Sequence, residues 1–212
     1  MADNYLGRKM EEYFARSESR SARRPAMTLE RLLLKNRSHR DYDARFIVRE
    51  DQLRSIIEVN TRIPSARNQQ VLRFRPVLAD EAPKVLEHIR LGGALPELRL
   101  PLPGTEPNAF IIICSTVEES RYVDIDLGIS AQSMLLRATE MGLNGICIGA
   151  FDKEAIRQAF GLPFEPLLIL AIGRGIEKIE LVDIGAHESH AYYRRGDTHF
   201  VPKVRVDELI IG

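Results

Sequence analysis

The apolar positions of this chain fall into two kinds of run. One kind recurs at helical spacing. Residues 4–19 carry Tyr5, Leu6, Met10, Tyr13 and Phe14 as a single thin stripe on a charged segment, which predicts a helix lying against something larger. Thr28 caps a short helix over 29–35. Glu50 and Asp51 put negative charge in the first turn of a helix over roughly 50–60, with Leu53, Ile56, Ile57 and Asn60 on one face. A further helix is expected near 83–91, and another begins after the capping residue Asp152 and stops near Gly161. The longest helix, 123–141, is apolar twice over. Leu127, Ala131, Met134, Leu135, Ala138 and Met141 form one face; Ile125, Ile129 and Leu136, with Gln132 among them, form a second. Such a helix is buried on two sides, wrapped either by its own chain or by a second subunit.

The other kind of run has no polar break. Residues 109–114 and 166–172 predict strands buried on both faces, and 72–79 and 145–151 predict two more. Helices and strands do not alternate regularly, so the fold class is α+β. One domain spans 28–212, preceded by a helical extension and linker over 1–27. Residues 92–108 hold three glycines and four prolines and form an irregular loop long enough to be a lid.

Composition narrows the field by exclusion. Lys+Arg and Asp+Glu both number 30, so no global charge favours nucleic acid or a membrane surface. No apolar run approaches a membrane span, and the N-terminus is charged rather than signal-like, which predicts a soluble cytoplasmic protein. Cys114 and Cys147 sit in apolar runs and are expected to be small core residues in a reducing compartment. The chain has no GxGxxG, no GxxxxGK[ST], no HExxH, no Cys/His cluster and no GxSxG, so no metal site is expected.

Three polar features remain. Ile63-Pro64-Ser65-Ala66-Arg67-Asn68-Gln69-Gln70 follows a helix that Pro64 should stop. Its amides offer donors and acceptors together, suited to the edge of a planar heterocycle, although a plain polar turn has the same composition. Arg37-Ser38-His39-Arg40 places two guanidiniums and a hydroxyl at one turn, and Lys203 and Arg205 lie two apart on an extended tail. Each is either a solvated basic turn or half of a grip on one phosphate.

In order along the chain these are RSxR, PSxxN, a helix ending in MGLNGICIGAF, a strand ending LAIGRG, and KxR at the tail. That order resembles the nitroreductase-like flavoprotein family over roughly residues 28–212. The resemblance implies a nitroreductase-like fold: a central, mostly antiparallel sheet flanked by helices, in an intertwined homodimer with FMN in interfacial pockets. It implies that Arg37, Ser38 and Arg40, with Lys203 and Arg205, hold the phosphate end of FMN. Pro64, Ser65, Asn68 and Gln70 would meet the ring, usually from the other subunit, and Gly149 and Ala150 would run beside its redox edge. The chain departs from the family pattern at Asn36, where a second Arg is frequent, and at Val71 and Leu72, which replace a Pro and an aromatic. The implied activity is an FMN-dependent NAD(P)H oxidoreductase. NADH or NADPH and a nitroaromatic, quinone or related acceptor would take turns at the flavin, which carries the chemistry without a catalytic side chain. The other function consistent with these residues is a flavin-binding sensor or carrier with little turnover.

Overall fold

The computed structural model describes residues 27–93, 98 and 100–212. The helix expected over 4–19 and the linker after it lie outside them. Helix α1 spans Leu29–Lys35, and the Thr28 hydroxyl caps it by accepting from the Arg31 N–H at 3.3 Å. Helix α2, Glu50–Ile57, runs on into a 3-10 turn, Glu58–Thr61, before Pro64. Strand β1 is Leu72–Val77, α3 is Ala82–Leu86, and β2 is Ala109–Ser115. The long helix α4, Arg121–Glu140, leads to β3, Asn144–Ile148, then to α5, Lys153–Ala159, and to β4, Glu165–Gly173.

The four strands form one antiparallel sheet in the order β1-β2-β4-β3. Its two central strands explain the unbroken apolar runs. Alternate residues of β2 go to opposite faces, and both faces are covered. Ala109, Ile111 and Ile113, with Leu170 and Ile172 of β4, pack under α2 and α4. Phe110, Ile112 and Cys114, with Ile169 and Ala171, pack under α3 and α5. The α4 residues Ala131, Met134, Leu135 and Ala138 are 0–7% exposed. Its second face is only half covered by the described residues: Ile125 is 44% exposed, and Ile129 and Leu136 are intermediate.

The helix expected near 83–91 is shorter than its pattern. After α3 the chain straightens, and Ile89 makes a single antiparallel bridge to Phe151. The cysteines also part company. Cys114 is buried, and burial, with a smaller push from the Glu165 charge, raises its thiol to about 11. Cys147 is exposed instead, on β3 at the edge of the sheet, although its surroundings still raise the thiol above its ordinary pKa by desolvation.

A second sheet lies beyond Gly173. Strands β5, Lys178–Ile184, β6, Tyr193–Arg195, and β7, Thr198–Val204, are ordered β5-β7-β6, with β5 and β7 parallel. Arg205 continues the extended path, after which the tail turns through a 3-10 segment, Val206–Glu208. Leu209, Ile210 and Ile211 are then 66%, 67% and 100% exposed.

Candidate functional site

Past α1 the chain runs extended over 37–42 and lies along the edge of the main sheet. Ser38 forms a parallel bridge with Gly145 of β3, and the His39 N–H donates to the Gly145 carbonyl at 3.2 Å. Gly145 itself packs tightly against β4 and α4: a Cβ there would sit 2.6 Å from the Ala171 carbonyl oxygen and 2.6 Å from Leu135 Cδ2. The glycine that lets strand 37–42 approach is Gly175, since its Cβ would meet the His39 ring at 2.1 Å.

The two arginines of this strand have different surroundings. Arg37 turns back onto α1, donating Nε to the Asn36 carbonyl at 2.6 Å and Nη2 to the Leu33 carbonyl at 2.7 Å, which leaves Nη1 outside both bonds. Burial lowers its pKa from the ordinary arginine value. Arg40 is 7% exposed, donates Nη1 to the Ser38 carbonyl at 3.2 Å and lies 4.8 Å over the Tyr192 ring. Its Nε has no partner. Ser38 itself is exposed.

Around Arg40 is a buried polar group of residues that the sequence did not single out. It comprises His39, Asp41, Glu177, Arg194 and His199. Among the described residues, the buried side-chain polar atoms without a hydrogen-bond partner are His39 Nδ1, Arg40 Nε, Arg194 Nε and His199 Nδ1, all in this one place. Burial holds both imidazoles below the ordinary histidine pKa. Asp41 also ties the strand to the loop before β2, accepting from the Leu102 N–H and the Thr105 hydroxyl, each at 2.9 Å.

The loop 63–70 is built onto α4 by a residue the helical pattern concealed, Asp126. Its carboxylate accepts from Ser65 Oγ at 2.7 Å, the Ala66 N–H at 2.6 Å and Gln69 Nε2 at 3.0 Å. Burial alone would raise its pKa; the three donors outweigh that and hold it below the usual carboxylate range. The signal available in the sequence was an acid amid the apolar positions of α4. Arg67, Asn68 and Gln70 all take left-handed backbone, with φ of 53°, 53° and 47°. Such conformations cost about 1–3 kcal/mol each and persist where neighbours over-determine them. Here Ser65 Oγ accepts from the Gln70 N–H at 3.0 Å, and Gln70 Nε2 donates to Asn68 Oδ1 at 3.0 Å. Pro64, Ser65 and Gln70 line one cavity of about 770 Å³ with Ile57, Asn60 and Phe74.

Gly149 and Ala150 are exposed where β3 ends. The Ala150 carbonyl accepts from the Arg90 N–H at 2.9 Å, and the Asp152 N–H donates to the His88 carbonyl at 3.0 Å, so the segment after α3 braces this turn. The tail cations lie elsewhere. Lys203 pairs in register with Asp183 of β5, and Arg205 donates to Glu208 at 2.8 Å. His199 is the β7 residue whose charge environment includes Arg40. At about 3.3 Å per residue, Arg205 is roughly 20 Å farther along that strand. Within one chain, therefore, Ser38 and His39 meet the β3 edge, with Arg40 next along the strand, and Pro64, Ser65 and Gln70 share a cavity. Lys203 and Arg205 do not join Arg37 and Arg40. No group of three or more His, Cys, Asp or Glu among the described residues can hold a metal ion, and no described helix is long and apolar enough to cross a membrane.

An α+β protein with a basic strand laid on the edge of a doubly covered sheet, and a strained amide loop built on its central helix, is the class these observations define. Residues 33–174 match the model of the nitroreductase family, and the chain belongs to that family. Its fold is shared with the nitroreductase family protein of Streptococcus pneumoniae TIGR4, at a TM-score of 0.63 and 18% identity over 87% of this chain and 100% of that one. A protein of Exiguobacterium sibiricum 255-15, assigned as a nitroreductase and solved in complex with FMN, matches at a TM-score of 0.59 and 18% identity, over 73% of this chain and 91% of that chain. In sequence, a protein of Methanocaldococcus jannaschii assigned to the nitroreductases is 40% identical over 57 residues. That match spans 27% of this chain and 29% of the relative, less than a third of its length.

Proposed function

We propose that the chain is an FMN-dependent oxidoreductase that takes a hydride equivalent from NADH or NADPH and delivers it to a nitroaromatic, quinone or related acceptor. The observation that carries this is Arg40. It is a buried guanidinium with an unpartnered Nε, on a strand bridged through Ser38 and His39 to Gly145 at the sheet edge leading to Gly149 and Ala150. An unpaired charged donor in a buried setting is costly, and a cofactor oxygen would remove that cost. The donor set therefore fits a phosphorylated, oxygen-rich cofactor, as in the FMN complex of the Exiguobacterium relative.

In this reading Ser38 and Arg37 Nη1 hold the phosphate, and Arg40 reaches the ribityl or the pyrimidine edge. Gly149 and Ala150 offer main-chain groups at the redox edge, and the Pro64–Gln70 loop presents its amides to the ring. FMN, when bound, accepts the hydride from one substrate and passes it to the next. The residues orient both and exclude water. The half-open face of α4, the exposed Leu29, Leu33 and Leu34 of α1 and the apolar tail favour a homodimer. In it the loop, and the tail with Lys203 and Arg205, come to the partner's strand 37–42 or to their own.

Purified protein should be yellow and release FMN rather than FAD on denaturation. In stopped-flow mixing, NADH or NADPH should bleach the flavin absorbance and a quinone should restore it. A protein that holds FMN but is reduced by neither nucleotide would be a carrier and not an oxidoreductase. One that stays colourless after mixing with FMN would remove the cofactor.

A further inference from the structure

Glu177 sits in the turn between β4 and β5, and its side chain is 4% exposed. Both of its oxygens are engaged. Oε2 accepts from the backbone N–H of Arg40 and, at 3.3 Å, from that of Asp41. Oε1 accepts from Arg194 Nη2 at 2.6 Å, and the same nitrogen reaches Asp41 Oδ2 at 3.3 Å. Arg194 belongs to β6, in register with His199 of β7. The second sheet therefore grips the basic strand by its main chain, just past the point where Ser38 and His39 meet Gly145.

We infer that Glu177, braced by Arg194, is a positioning residue for the cofactor: it fixes the path of strand 37–42, and so the aim of Ser38, Arg37 and Arg40 at the FMN phosphate and ribityl. The inference rests on the reading that this strand binds FMN. A buried carboxylate beside a cationic cofactor site is otherwise misplaced, since it opposes the attraction of a phosphate. Its contacts resolve the conflict, because it serves as a paired acceptor for the N–H groups of Arg40 and Asp41, extending the main-chain bonds by which Ile176 and Arg174 meet Asp41 and Asp43.

Charge and geometry make opposite predictions. Glu177→Ala and Glu177→Gln remove the same negative charge, which by itself would tighten FMN binding equally in both. Only Gln keeps an oxygen that can accept from Arg40 and Asp41. Positioning therefore predicts that Glu177→Ala weakens FMN binding tenfold or more, while Glu177→Gln, whose oxygen accepts from Arg40 and Asp41 but whose NH2 cannot accept from Arg194, recovers most of that loss and weakens binding no more than Arg194→Gln does.

The experiment is flavin-fluorescence titration of FMN into the full-chain apoprotein of the parent, Glu177→Ala, Glu177→Gln, Arg194→Gln and Arg37→Ala. The expected result is weakening in Arg37→Ala and Glu177→Ala, restoration in Glu177→Gln, and a loss of about threefold to tenfold in Arg194→Gln, which frees Oε1. Should Glu177→Ala fail to fold, Arg194→Gln carries the test, and unchanged affinity there overturns the proposal. Tighter binding in both Glu177 variants, or equal weakening in both, also overturns it, as does unchanged affinity in Glu177→Ala beside weakened binding in Arg37→Ala. Unchanged affinity in Arg37→Ala, with Glu177→Ala weakened and Glu177→Gln restored, leaves Glu177 as the positioning residue and moves the phosphate away from Arg37.

Discussion

Arg37 and Arg40 stand three residues apart on one strand but do different work. Arg37 is held at the surface by two carbonyls of the α1 end, with one nitrogen outside those bonds. In the proposed site, removing it takes away a charge-assisted contact to phosphate, worth roughly 1.5–3 kcal/mol, or about tenfold to a hundredfold or more in dissociation constant. Arg37→Ala should show that loss in an FMN titration, with the reduction rate of the saturated protein nearly unchanged. Arg40 is buried over Tyr192 and has an unpaired Nε. If that nitrogen meets the pyrimidine edge, Arg40→Ala should weaken FMN binding and also slow reduction of the saturated protein by NADH and NADPH. Parent-like affinity in both variants would remove strand 37–40 from the site.

Among the elements, β3 sets two glycines in contrast. A Cβ at 145 meets a backbone oxygen of β4 and a buried leucine methyl of α4 at 2.6 Å, whereas one at Gly149 meets nothing within 4 Å. Gly145→Ala should destabilise the protein by about 1–3 kcal/mol as Leu135 and the β3–β4 pairing are forced to shift. Gly149→Ala should stay within about 0.5 kcal/mol, the two compared by urea denaturation midpoints at equal slope. The sequence made much of this level legible. β2 and β4 stand out because burial on both faces removes every polar break, and α4 because two of its faces are apolar. The second sheet was not legible: β5 and β6 alternate in exposure and are short or half-solvated, so their composition matches that of loops. Glu177 and Arg194 were hidden for the same reason. An ordinary acid and an ordinary base in polar segments acquire meaning only when the fold buries them together. The candidate site residues were proposed from the order of their motifs, and what that order could not give was the separation of Arg40 from the tail cations.

At the scale of the whole molecule, two behaviours follow. Burial, the largest effect, keeps His39 and His199 neutral against the pull of Glu177, with Arg40, and Arg37 or Arg194, pushing the same way as burial; Asp41 adds a further pull at His39. The unfolded chain therefore binds protons that the folded chain refuses. This contribution to stability is full above the ordinary histidine pKa of about 6.5 and falls as pH drops through it. Thermal midpoints should decline between pH 7 and 5, and a His39→Gln/His199→Gln variant should flatten that slope. The incompletely covered α4 face and the apolar tail predict a homodimer burying more than about 2,000 Å² in total, which sedimentation at micromolar concentration checks; a monomer that retains FMN would refute it. Before such a partner arrives, the sheet ends on one side in β1, whose outer edge offers unpaired main-chain groups to any extended chain. That strand carries Arg73, Arg75 and Pro76. Like charges repel a second copy of the same strand, and proline has no N–H to lend to a foreign ladder. This edge should therefore resist pairing with a foreign strand, and the yield on refolding should tolerate concentration better than a plain apolar edge would allow.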